Sequence, residues 1–191
     1  ITGALELNGH MDIPSKGEQY SFTLDLGGHT LEVITGSENW CIEVCPGVSV
    51  SIVNGTLKGS SNGNFAVGQA GTSIALDGVT VDFTCNAAES RSVIVAAGKL
   101  SVKDTEFVLS NATSPSVGSE GGESGSIEMD LQSQINLAGN GATVSLDKDY
   151  TESVVIPEGK TITLDLNGHT LTSDTDNVAT VYNDGNLTIV D

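Results

Sequence analysis

The octapeptide Leu24 to Leu31, LDLGGHTL, returns almost unchanged at Leu164 to Leu171 as LDLNGHTL. A repeat of this kind constrains architecture before any single residue does. Each copy lies in a longer pattern of apolar alternation, a Gly turn, further alternation, an Asn-Gly-type turn and alternation again. The unit that recurs is three strands long. It predicts an all-β chain, the stacked coils of a three-sided parallel β-solenoid.

Aligning the turn glycines Gly47, Gly71, Gly98, Gly159 and Gly185 gives five parallel lines of sequence. They are spaced 24 (71 − 47), 27 (98 − 71) and 26 (185 − 159) residues apart within each block, one turn of such a solenoid. Strand alternation then points Ile42, Val44, Val50 and Ile52 inward in one coil. Ile74 and Leu76, Leu100 and Val102, Ile162 and Leu164, and Leu187 and Ile189 take the matching places in others. Equivalent residues are expected to stack about 4.8 Å apart. The aromatic content of 4% suits so narrow a bore. Asn54-Gly55, Asp77-Gly78 and Asn167-Gly168 supply residue types that tolerate positive φ in short turns. An antiparallel hairpin protein uses Asn-Gly too, but its strands match in pairs around each turn instead of recurring in threes.

The chain divides into a first block, 1–111, a Ser/Gly/Glu linker or long loop, 112–126, and a second block, 127–191. The second block begins with an expected amphipathic capping helix over 127–138. Ser126 is its candidate N-cap, Ile127, Leu131, Ile135 and Ala138 lie on one face, and Gly139 closes it. A solenoid must cover its open end, because exposed strand edges invite aggregation. The octapeptides are offset by 140 residues (164 − 24), and Ile13-Pro14 and Ile156-Pro157 recur with them. The sequence therefore reads as an excerpt of a longer tandem array, cut within repeat units. Leu5 to His10, LELNGH, resembles the octapeptide as well and suggests an extra short coil at the start.

Seven Lys plus Arg stand against 25 Asp plus Glu, a net charge of −18. Such a surface repels nucleic acid and anionic membranes and attracts cations or basic partners. Disorder, the other reading of high net charge, loses to the regular spacing of the 38% hydrophobic residues. No run of about 20 apolar residues spans a bilayer, and ITGALELNGH lacks the basic and apolar regions of a signal peptide. Cys41, Cys45 and Cys85 have no metal-type or redox spacing. Cys41 and Cys45 lie about 13 Å apart along a strand at 3.3 Å per residue, too far for a direct disulfide. They read as thiols, with Cys41–Cys85 as a less favoured bridge.

The segment Ile156-Pro157-Glu158-Gly159-Lys160-Thr161-Ile162-Thr163-Leu164-Asp165-Leu166-Asn167-Gly168-His169-Thr170-Leu171 follows the helix and the strand TVSLDKD at Thr143 to Asp149. In this it resembles the right-handed parallel β-helix repeats of large secreted and cell-surface bacterial proteins, and more broadly the pectate-lyase-like superfamily. The likeness is good over 126–191, fair over 13–109 and absent in the linker. It implies a right-handed coil and says little about function, because that superfamily holds lyases, hydrolases, epimerases, adhesins and tailspikes.

Candidate chemistry is sparse. His10, His29 and His169 each follow a Gly, and three imidazoles can bind a metal. His29 and His169 belong to separate blocks, however, so turn or strand roles are expected. Asp25 and Asp165 are expected to point outward and bond local amides. Lyases of the resembled group need Ca²⁺ ligands and a Lys or Arg base, but the lone arginine, Arg91, falls in a loop between coils. Hydrolases need carboxylates about 5–9.5 Å apart. Asp77 and Asp104 on adjacent coils could approach this but occupy turn positions, where capping is the plainer role. Asp147, Asp149 and Glu152 in DKDYTE, and Asp174, Asp176 and Asn177 in SDTDN, offer hard oxygen ligands of the kind Ca²⁺ takes. They lack EF-hand spacing, and solvated loops are the plainer reading. Thr161 and Thr163 suggest a threonine ladder of the ice-binding type, but the threonines do not recur from coil to coil in the aligned text. Asn54, Asn111 and Asn186 begin N-x-T sequons.

The expected function is a non-catalytic structural or adhesive segment of an extracellular or cell-surface bacterial protein built from tandem β-helix repeats. One alternative is a carbohydrate-binding or polysaccharide-processing β-helix whose active coils lie partly outside this sequence. The other is a self-assembling, fibre-forming surface protein. The expected partners are a glycan, a protein on a host or other cell surface, or the chain itself, with no nucleic acid and no membrane insertion. No cofactor is expected beyond Ca²⁺ at the acidic loops.

Overall fold

The computed structural model describes residues 5–8, 11–13, 19–35, 39–120 and 123–191, in two compact units, Ile1–Met129 and Asp130–Asp191. Among the described residues every strand ladder but one is parallel. The exception is the small antiparallel pair Ser119–Glu120 with Glu123–Ser124. Each unit is a parallel β-solenoid.

In the first unit one coil runs from Val48 to Ser61 as a single bent strand over two faces, then along a third face as Asn64–Gly68. The next coil repeats this with Ser73–Cys85 and Ile94–Ala96. A third follows with Lys99–Lys103, Glu106–Ser110 and Ser116–Val117. The alternation expected from sequence sets the stacking. Val50 lies beside Ile74 and Ile52 beside Leu76, and these in turn lie beside Leu100 and Val102. All six are buried. Full burial of each such side chain is worth about 1.5–3 kcal/mol. The column continues into Ile127 and Met129.

Three corners turn each coil, and each has its own chemistry. The first needs left-handed backbone. Gly27, Asn54, Gly78 and Asp104 in successive coils have φ of 60°, 59°, 63° and 45°. The second is polar: Thr35, Ser61 and Cys85 occupy equivalent positions and are buried. Thr35 Oγ1 donates to the Ser60 carbonyl at 3.0 Å, Ser61 Oγ to that of Asn64 at 2.9 Å, and Cys85 Sγ contacts that of Glu89 at 3.8 Å. Each of these buried side chains thus finds a backbone carbonyl acceptor within the corner. The third corner is a four-residue turn with Gly in its third place, closed by Val48 N donating to Cys45 O and Thr72 N to Gln69 O. Gly47 and Gly71 there have φ of 83° and 74°, as a type II turn requires. Gly159 and Gly141 take the same place in the second unit.

The glycines aligned from sequence are therefore of two kinds, and two of them stand one residue off register. Ser73 pairs with Lys99, so Gly98 lies beside Thr72 rather than Gly71. A Cβ on Gly98 would come 2.3 Å from the Thr72 carbonyl oxygen, and one on Gly185 would come 2.4 Å from that of Lys160. Both are required by close backbone approach.

The second unit stacks Ala142–Ser145, Thr161–Asp165 and Asn186–Val190 on its first face. Tyr150–Thr151 and Leu171–Thr172 pair on its second, and Val154–Ile156 and Val181–Asn183 on its third. Its helix is Leu131–Leu137, shorter than the 127–138 expected, and Asp130 replaces Ser126 as N-cap by accepting from Ser133 N at 2.8 Å. Ser126–Met129 is instead a strand paired with Lys99–Val102. Ile127 fits the period-2 column of the first unit as well as the expected helical face, whereas Met129 fits the column alone, and the ladder decides between them. Within 112–126, read from sequence as a linker, Ala112–Thr113 and Ser116–Val117 pair with Arg91–Ser92 and Val95–Ala96.

The helix caps the second unit's stack as expected. Leu131 and Ile135 are fully buried on Val144, Leu146, Tyr150, Val154 and Ile156. Polar side chains seal the strand edge beneath. Gln132 accepts from Val155 N at 2.7 Å and donates to Val155 O at 3.1 Å, so its amide stands in for a neighbouring strand. Asn140 Oδ1 accepts from Thr161 N at 2.6 Å, and Lys160 Nζ donates to Asn136 O at 2.7 Å.

Leu5–Asn8 is a strand, but it lies beside Thr30–Ile34, with Leu5 opposite Leu31. It occupies the second face, so its likeness to the octapeptide does not carry Leu5 to the place of Leu24. His10 and Pro14 lie outside the described residues.

Candidate functional site

The two octapeptides form the same corner. His29 N donates to Leu26 O at 3.0 Å and His169 N to Leu166 O at 2.8 Å. The central residues Gly27 and Gly28, and Asn167 and Gly168, all have positive φ, between 49° and 79°. Two such residues in sequence define a type I′ turn. Asp25 Oδ1 accepts from Gly27 N at 2.9 Å and Asp165 Oδ1 from Asn167 N at 3.0 Å. Both aspartates bond local amides, as expected. The next coil braces each corner. Gly28 N donates to Asn54 O at 2.7 Å in the first unit, and Gly168 N donates to Asp191 Oδ1 at 2.8 Å in the second.

His169 Nδ1 lies 3.6 Å from Asp149 Oδ1, which also accepts from Thr170 N at 2.9 Å. The Thr170 amide, then its hydroxyl and His169, hold the Asp149 carboxyl below its ordinary range.

The carboxylates singled out as Ca²⁺ candidates each have a separate structural partner or remain in solvent. Asp147 Oδ1 accepts from the Tyr150 hydroxyl at 2.8 Å, and Gln134 Nε2 donates to the same hydroxyl at 2.8 Å, which latches the helix to the coil. Burial, reinforced by Asp147, pushes the Tyr150 phenol up to about 12. Glu152 spreads its two oxygens over the helix start, accepting from Leu131 N at 3.0 Å and Gln132 N at 3.3 Å. Asp174 Oδ1 accepts from Thr175 Oγ1 at 3.3 Å, and Asp176 is exposed. Among the described residues no three His, Cys, Asp or Glu side chains gather in a metal-binding group.

Asp77 and Asp104 do approach each other, with a cation between them. Lys103 Nζ lies 3.4 Å from Asp77 Oδ2 and 3.5 Å from Asp104 Oδ2. The hydrogen bond and charge of Asp77, with Asp104 behind, raise the lysine above its ordinary value. Both aspartates thus join an exposed ion-pair group, worth little on its own in water. Arg91 sits in the short strand Arg91–Ser92, away from this group in sequence and exposed.

One threonine column does recur, contrary to the sequence alignment. Thr143, Thr163 and Thr188 are in register on the outward side of the second unit's first face. The matching column in the first unit reads Thr23, Ser51, Ala75 and Ser101. The pair Thr161-x-Thr163 is still confined to one coil, because Asn186 lies beside Thr161.

All three cysteines are thiols. Cys41 is fully buried, its Sγ 3.5 Å from the Val33 carbonyl oxygen, and burial pushes its pKa up to about 12. It is therefore a packing residue. Of the sequon asparagines, Asn111 Nδ2 donates to Cys85 O at 3.1 Å and Ala87 O at 2.8 Å, and so belongs to the second corner. Asn54 holds the first corner with positive φ, and Asn186 is exposed on an outward strand position.

Sequence reasoning missed the buried polar corner, the edge-sealing role of Gln132 and the left-handed Asp104. No helix among the described residues is long and apolar enough to cross a membrane. No protein-family model matches the chain, and no significant match is found among curated proteins or solved structures.

Proposed function

We propose that this chain is a non-catalytic structural or adhesive segment of an extracellular or cell-surface bacterial protein made of tandem β-helix repeats. The observation that carries this reading is the duplicated corner. In both units the Asp of the motif caps its own turn and the next coil braces it, so the most chemically inviting repeat is spent on joining coils. Each coil rests on its neighbours alone, so length is added without redesign. The acidic surface, −18 overall, keeps such a module soluble and leaves adhesion to outward side chains and loops. Incubating the 191-residue chain with neutral and anionic polysaccharides tests the reading. Binding without cleavage is the expected result for an adhesive segment; release of shortened products establishes polysaccharide processing and overturns it.

A further inference from the structure

We draw no further inference here: the strongest candidate, the outer edge of strand Asn186–Val190 in the second unit, where Ile189 and Val190 are exposed, carries nothing, because nothing in the structure shows what covers it.

Discussion

In the first unit the corner Leu26–His29 is built on two glycines and braced by a backbone carbonyl, that of Asn54. In the second, the corner Leu166–His169 has Asn167 in the place of Gly27 and is braced by a side chain, the Asp191 carboxylate. Asn167 adds a bond that Gly27 cannot make, from its Nδ2 to the Leu146 carbonyl at 3.1 Å. The backbone path is the invariant in this pair, and different atoms satisfy it. Asn and Gly are interchangeable there because both tolerate positive φ, Gly for want of a Cβ and Asn through local hydrogen bonding. The difference between the units is therefore one of reinforcement, and substitutions can measure it.

The largest expected effect separates the two cores. Ile135→Ala removes a fully buried side chain from beneath the helix and should cost the second unit about 2–5 kcal/mol. Trp40, the only tryptophan, lies in the first unit. In urea its fluorescence midpoint should stay in place while part of the circular dichroism transition moves to lower denaturant. Leu57→Ala, buried in the first unit, should move the fluorescence midpoint instead. A common shift of both signals in both variants would show that the units do not unfold separately.

Next comes the close approach that both units share. Gly98→Ala and Gly185→Ala each force a methyl group onto a carbonyl oxygen of the preceding coil and should cost about 1–3 kcal/mol each. Gly139→Ala, with nothing within 4 Å of the added carbon, serves as the neutral control, within about 0.5 kcal/mol. Thermal denaturation ranks the three. If Gly185→Ala matches the control, the coils are looser than the backbone contact implies.

The corners themselves give smaller changes. Asn167→Ala places an ordinary side chain at positive φ and deletes a hydrogen bond, at a cost of about 1–2 kcal/mol. Gly27→Asn, which copies the second unit's residue into the first, should stay within about 0.5 kcal/mol, because both residues tolerate positive φ. Equal losses from the two substitutions would contradict the equivalence of the corners.

The smallest differences lie in pH dependence, and they run in opposite directions. Asp149 has a folded pKa below its ordinary 3.8, so its contribution to the second unit is complete above that value. The contribution disappears as pH falls through the depressed value, and Asp149→Asn should flatten this acid limb. Tyr150 and Cys41 have folded values raised to about 12 from 10.0 and 9.0. Their contributions are complete below those unfolded values and are lost as pH climbs toward 12. A phenolate absorbance titration should show one tyrosine ionising late, and Tyr150→Phe should remove that step. At neutral pH a thiol reagent should label Cys45 before the buried Cys41 and Cys85. Early labelling of Cys41 would mean that the first unit opens locally.

The stacked columns were legible in the sequence because strand alternation has a fixed period of two. Val50, Ile74 and Leu100 could be assigned to one layer without coordinates, and the ladders place them there. The turns were legible where Gly or Asn signals positive φ, as at Gly47, Gly71 and Asn167. Asp104 carries the same conformation without an Asn-Gly pair, and Gly98 shifted the aligned text by one residue. The helix starts later than the apolar spacing suggests, because Ile127 fits both the helical face of Leu131 and Ile135 and the strand column of Leu100. Only the neighbour Lys99–Val102 resolves that ambiguity. In the candidate sites, the duplicated Asp25 and Asp165 were correctly assigned to local amides. The fates of Glu152, Asp147 and Asp77 depended on partners 3 to 26 residues away.

By itself the sequence determined a parallel solenoid of repeated coils, because alternation, turn residues and a duplicated corner are local properties that the backbone must obey. Tertiary structure alone decided which polar side chains are spent. The buried Thr35, Ser61 and Cys85 corner, the Gln132 amide sealing Val155, and the scattering of the acidic loops among separate partners all follow from which coil lies against which. Gln132 and Glu152 bond backbone groups 20 to 23 residues away, which the fold alone brings beside them.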